Sequence, residues 1–120
     1  MTRDTLFQYA FDTYSVEPDY PWMETPEAGV LRHPDTRKWF GLVMRVPARC
    51  IGHPSEDLID ILNVKADPMF ISVVVGHDGF YRAYHMNKEH WMTIALAEAS
   101  DEAIRMALDQ SYEMTERKRK

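Results

Sequence analysis

Apolar residues recur along this chain with two periods, and the switches between them mark its elements. Leu6, Phe7, Ala10, Phe11 and Tyr14 fall at helical spacing between Thr2, a helix-capping residue type, and Pro18, which cannot continue a helix. They predict an amphipathic first helix over residues 3–15 whose aromatic stripe faces the core. Val30 and Leu31 begin a short strand, His33-Pro34-Asp35-Thr36 reads as a turn, and residues 39–46 make a longer strand. At a period of two, Phe40, Leu42, Met44 and Val46 share one face of that strand, and Trp39, Val43 and Arg45 the other. Residues 58–65 predict a third strand with Asn63 and Lys65 projecting together. Residues 90–96 predict a fourth, with His90, Met92, Ile94 and Leu96 opposite Trp91, Thr93 and Ala95. Ser100 then caps a last helix, with Asp101 and Glu102 in its first turn and a buried stripe of Ile104, Leu108 and Tyr112.

One segment carries conflicting signals. Asp67-Pro68 is a strong helix start, because Asp caps and Pro suits the first helical position, yet residues 69–75 are rich in β-branched residues. A short helix is the reading adopted. Between the first helix and first strand, Pro18, Pro21 and Pro26 impose an irregular connection that Tyr20 and Trp22 can pin to the body. His77-Asp78-Gly79 is a further turn, and Phe80-Tyr81-Arg82 leads into the stretch that follows it. The sum is one α+β domain over residues 1–120: an antiparallel sheet of about four or more strands flanked by N- and C-terminal helices, in the order α-β-β-β-α-β-α.

Composition narrows the function classes. Hydrophobic residues at 45% and charged ones at 28% are ordinary for a globular domain, and eight methionines suit an irregular, adaptable core. Cys50 is the only cysteine, which excludes an intramolecular disulfide and a cysteine-built zinc site and fits a reducing, cytoplasmic setting. No secretory signal pattern and no apolar run near the ~20 residues of a membrane span is seen, so no membrane partner is expected. The net charge of −5 is unevenly spread. Residues 1–31 carry one basic residue against six acidic, residues 32–90 eight against seven together with all five histidines, and residues 91–120 five against six, ending in Arg117-Lys118-Arg119-Lys120. An anionic partner would therefore meet a local patch on a molecule that repels it overall.

Polar chemistry is densest in Tyr84-His85-Met86-Asn87-Lys88-Glu89-His90-Trp91. His85 and His90, with Asp67 or Glu89, match no established zinc spacing, so neither a metal nor a cofactor is expected. There is no nucleophile elbow around a serine and no glycine-rich phosphate loop, and the domain reads as non-enzymatic. What remains is a cationic set, Lys65, Arg82, His85, Lys88 and His90, with Arg45 alongside, interleaved with Trp39, Tyr84 and Trp91. If the strands pair so that Arg45, Lys65 and the entrance to the fourth strand share a side, these groups make a surface suited to phosphate. Its rival is a protein-interaction surface made of Trp39, Trp91 and the valine-rich segment.

The order of Pro21-Trp22, Lys38-Trp39-Phe40, Asn63-Val64-Lys65-Ala66-Asp67-Pro68, the Tyr84–Trp91 stretch and Ser111-Tyr112 resembles the MmcQ/YjbR family over essentially the whole chain. The resemblance implies a compact α+β fold related to bacterial frataxin (CyaY-like), with residues 68–75 helical despite their propensity. It implies DNA binding through a double-wing arrangement of strands. It also raises iron binding by an acidic first helix, for which Asp4 and Asp12 supply too sparse a ridge. In this chain Ile71, Val73, Val74 and Val75 stand where a polar helix face is expected, which points to self-association or a protein partner. Oligomeric state is left open.

Overall fold

The computed structural model describes residues 1–116; the basic run Arg117–Lys120 lies outside the described residues. Helix α1 spans Arg3–Tyr14, with Thr2 Oγ1 accepting from Thr5 N at 3.1 Å at its start and Ser15 in the left-handed region (φ 59°) at its end. Strands β1 (Gly29–Arg32), β2 (Trp39–Pro47) and β3 (Leu58–Lys65) follow, then helix α2 (Pro68–Val74), strands β4 (Phe80–Arg82) and β5 (Trp91–Ala95), and helix α3 (Asp101–Thr115). The sheet is antiparallel throughout, in the order β1-β2-β3-β5-β4. Among the described residues no helix is long and apolar enough to cross a membrane.

The helices cover one face. Leu62 and Val64 from β3, Met92 and Ile94 from β5, Val43 from β2 and Phe80 from β4 meet Leu6 and Ala10 of α1, Ile71 of α2, and Ile104 and Leu108 of α3 in one buried cluster. Burial of Ile71 in that cluster is what makes α2 a helix: Asp67 Oδ1 accepts from Met69 N at 2.9 Å, Pro68 starts the first turn, and tertiary packing overrides β-branched propensity. The predicted aromatic stripe of α1 is narrower than expected, because Phe11 is 49% exposed.

A bulge corrects the expected faces of β2. The β1–β2 register slips between Leu31 and Arg32, which pair with Gly41 and Trp39 and leave Phe40 as the extra residue. Phe40 therefore joins Val43 on the helix side, its ring 5.4 Å from that of Tyr14 and 4.9 Å from that of Tyr112, while Leu42, Met44 and Val46 face the other way. Where β2 and β3 part beyond Leu42 and Asn63, the Ser111 hydroxyl fills the gap: it donates to Phe40 O at 2.7 Å and accepts from Lys65 N at 2.9 Å.

The opposite face is also largely buried. Val30, Leu42, Ile61, Asn63, Thr93 and Ala95 line it. A 3-10 turn, Ala48–Ile51, and the loop of residues 83–90 fold over it, burying Ala48 and Ala83. Strand β4 is the element the hydrophobic pattern did not mark. Gly79 feeds it with φ 89°, and a Cβ there would stand 2.6 Å from Ala99 N.

Candidate functional site

The loop of residues 83–90 owes its shape to hydrogen bonds from the strands beneath it. Asn63, fully buried on β3, donates Nδ2–H to Tyr84 O at 3.1 Å. Its Oδ1 accepts from the Thr93 hydroxyl, whose oxygen accepts in turn from Tyr84 N at 2.8 Å. Three residues on three segments thus close a ring that satisfies both backbone groups of Tyr84 above the buried Asn63 and Thr93. Further along, Asn87 Oδ1 accepts from Glu89 N at 2.8 Å and Asn87 O from Trp91 N at 2.9 Å. Lys88 Nζ donates to Ala83 O at 3.0 Å, and His90 O accepts from Ala66 N at 2.9 Å, tying the loop to the corner before α2. Tyr84 lies beside Cys50 of the 3-10 turn, and its pKa is raised, first by burial and then by the neighbouring thiol. His85, at φ 60°, sits exposed with its ring 3.9 Å from that of Tyr84.

The sequence-predicted groups divide between two places. Arg82 pairs with Met92 and so points to the helix side at the sheet edge, where it and Lys88 line a cavity of about 230 Å³ with Pro68, Ile71, Ser72 and Glu89. Lys65 pairs with Trp91 on the opposite face, both half-buried, at the end of the sheet where Trp39 stands against Trp22 (5.6 Å between rings). His90 is exposed at the Ala66 corner between the two places. Arg45 does not join Lys65. It pairs with Asp60, on the face that carries Leu62, and lies 3.1 Å from that carboxylate, which Arg3 also approaches at 3.6 Å. The rival surface is divided too: Trp39 and Trp91 lie on the face away from the helices, whereas α2 lies in the helix layer. Of its valine-rich segment only Val73 is well exposed, since Ile71 is buried and Val74 and Val75 pack against the core.

Ion pairing separates the cations further. Arg32 and Arg37 face Asp19, Arg3 and Arg45 face Asp60, and Arg49 faces Glu56. Lys65, Arg82 and Lys88 make no ion pair among the described residues. No group of three or more His, Cys, Asp or Glu among the described residues is arranged to hold a metal ion.

Two polar clusters were not legible in the chain. Tyr81 donates to Glu98 and lies 3.0 Å from His53 Nε2, itself 3.0 Å from Glu98 Oε2; burial and Glu98 push the Tyr81 hydroxyl up to about 12. Tyr9 and Tyr14 of α1 both donate to Asp109 of α3, at 2.8 Å for Tyr9, and burial followed by that carboxylate raises both phenols. Only the β5–β4 register and the packing of α1 on α3 bring these residues together, and no local motif announces either.

Comparison with known proteins matches residues 12–114 to the YjbR family model. The uncharacterized protein YyaQ of Bacillus subtilis is 35% identical over 116 residues, covering 96% of this chain and 98% of that protein. A crystal structure of a Pseudomonas syringae protein superposes with a TM-score of 0.94 at 35% identity, covering 97% of this chain and all of that one. A solution structure of a Pseudomonas syringae protein gives 0.89 at 34% identity, covering all of this chain and 97% of that one. Family model, sequence relative and solved folds agree along nearly the full length, and the chain belongs to the MmcQ/YjbR family.

Proposed function

We propose that this domain binds the phosphates of nucleic acid at the sheet edge where the loop of residues 83–90 meets α2, as a cytoplasmic binding domain rather than a catalyst. The observation that carries the reading is that two cations without a carboxylate converge: five arginines face carboxylates, whereas Lys38, Lys65, Arg82, Lys88 and Arg105 face none among the described residues, and of these Arg82 and Lys88 come together. Arg82 and Lys88 share a cavity of about 230 Å³, so a phosphate group entering it meets two cations at once. Around the edge, Lys65 beside Trp91 offers a second phosphate contact next to an indole on which an unstacked base can rest. His90 adds an exposed donor between these places, and His85 a further exposed one beside Tyr84. Glu89, in the same cavity, opposes the attraction and keeps the affinity modest.

A mobility-shift titration at low salt with single-stranded and duplex DNA tests the reading. Binding in the micromolar range, abolished by R82E with K88E, supports it; no shift at tens of micromolar, where non-specific association is visible, overturns it. A small phosphorylated ligand is the second reading, favoured by the separation of the Arg82–Lys88 cavity from Lys65. Thermal stabilisation by millimolar inorganic phosphate, lost in R82E and unaccompanied by DNA binding, selects that alternative.

A further inference from the structure

An apolar seam lies on the helix layer, between α2 and α3. Two depressions of about 530 Å³ and 520 Å³ occupy its ends. Val73, Val74, Phe80 and Ala103 floor the first, and Phe70 and Met114 the second. On the α2 side Val73 is 69% exposed, and on the α3 side Met114 is 41% exposed. Exposed apolar side chains lining two depressions along one pair of helices suit a partner that covers them. The α3 positions concerned, Ala103, Gln110 and Met114, lie seven and four residues apart and form one stripe, which at 1.5 Å per residue runs about 17 Å, the length of three helical turns. Met114 gives the second depression the adaptability that helix-binding grooves use.

The rim decides what kind of helix fits. Asp78 and Glu98 border the first depression and Asp67 and Glu113 the second, and no Lys or Arg lines either. We propose that this groove docks a basic amphipathic helix of a partner protein, with apolar side chains in the two depressions and Lys or Arg on both flanks. A second copy docked through the same groove is disfavoured, because a two-fold contact would set acidic rim against acidic rim. The chain's own Arg117-Lys118-Arg119-Lys120 carries the charge without an apolar anchor. This surface is independent of the proposed phosphate edge: Arg82, Lys88, Lys65 and Trp91 line neither depression.

The test uses the full chain and three labelled synthetic peptides of about fourteen residues. One carries leucines at positions i, i+3 and i+7 with lysines alongside, a second has glutamates in place of the lysines, and a third scrambles the first. Fluorescence anisotropy should show the basic amphipathic peptide binding at least about tenfold more tightly than the other two. Chemical shifts should move at Phe70, Val73, Ala103 and Met114 and leave Lys65 and Trp91 still. V73E, at a site already exposed, should weaken binding about tenfold without changing thermal stability, and D78K with E113K should reverse the preference between basic and acidic peptides. Equal affinity for the three peptides, shifts centred away from the groove, or sedimentation showing a dimer that V73E dissociates would each overturn the proposal.

Discussion

Two residues, Asn63 and His33, have roles that chemistry alone fixes once their surroundings are known. Asn63 has no exposure, and its amide supplies a donor to Tyr84 O and an acceptor to Thr93, a pairing that neither a carboxylate nor an aliphatic chain can reproduce. Asn63→Leu, which keeps the branching but is bulkier, should cost about 1–3 kcal/mol for the Tyr84 carbonyl it orphans, with the Thr93 hydroxyl losing its acceptor as well. Urea denaturation would register the loss, and faster amide exchange at Tyr84 would show that the loop has loosened while the sheet stays protected. An unchanged unfolding midpoint would mean the ring contributes nothing. His33, expected in an exposed turn, is 3% exposed, with Nε2 2.7 Å from Thr115 Oγ1. The Thr115 hydroxyl spends its proton on Ser111 O, so it accepts from a His33 Nε2–H. Burial pushes the His33 pKa below 6.5, against smaller opposite pulls from Asp35 and Glu116. The native state thus resists a proton that the unfolded chain takes up near 6.5. Stability from this group is complete above 6.5 and falls as pH drops from there toward the lowered native pKa. The loss of stability between about pH 7.5 and pH 5.5 should be smaller in His33→Gln than in the parent, and equal losses would refute the assignment.

At the scale of elements, the periodic ones were legible from spacing and the short β1 and α2 from turn and capping signals, whereas β4 and the bulge in β2 were not. The first and last helices and strands β2, β3 and β5 follow from hydrophobic spacing, because each buries a long regular face. Strand β4 has three residues, too few for a period of two to show, and exists because β5 offers it a partner along Phe80–Arg82. Phe40 misled because a bulge shifts the alternation by one, and its cause, the slip opposite Leu31 and Arg32, lies on another strand. The entry to β4 also makes the sharpest element-level prediction. Gly79 combines φ 89° with an approach in which any Cβ would lie 2.6 Å from Ala99 N and 3.0 Å from Ala99 Cβ, and its carbonyl accepts from Ala95 N at 2.8 Å. Gly79→Ala carries about 1–3 kcal/mol of backbone strain before the clash is counted. Gly52→Ala, also at positive φ (94°) but with nothing within 4 Å, bears the strain alone. Thermal melts of the two should therefore differ, Gly79→Ala lying clearly lower; equal melting would mean the β4 edge relaxes around the methyl.

Across the whole molecule, charge is organised by pairing more than by clustering, and this is why the site was only half legible. The sequence displays which cations exist but not which carboxylates fold against them. Arg45 looked equivalent to Lys65 until the register set it opposite Asp60, and Arg82 looked equivalent to both until β4 turned it to the helix side. What survives among the described residues is Lys38, Lys65, Arg82, Lys88 and Arg105 on a molecule of net charge −5, and the number of these that touch phosphate fixes how binding responds to salt. With Lys65, Arg82 and Lys88 as the phosphate contacts, counterion release predicts that log K falls with log salt at a slope of roughly −2.7 for duplex and −2.1 for single strands. R82E should flatten the duplex slope by about 1, while Arg45→Ala, whose charge is already met by Asp60, should leave it unchanged. Removing residues 117–120 separates the contribution of the terminal basic run: a slope that collapses on their removal but ignores R82E would assign the phosphate contacts to residues 117–120 in place of Lys65, Arg82 and Lys88.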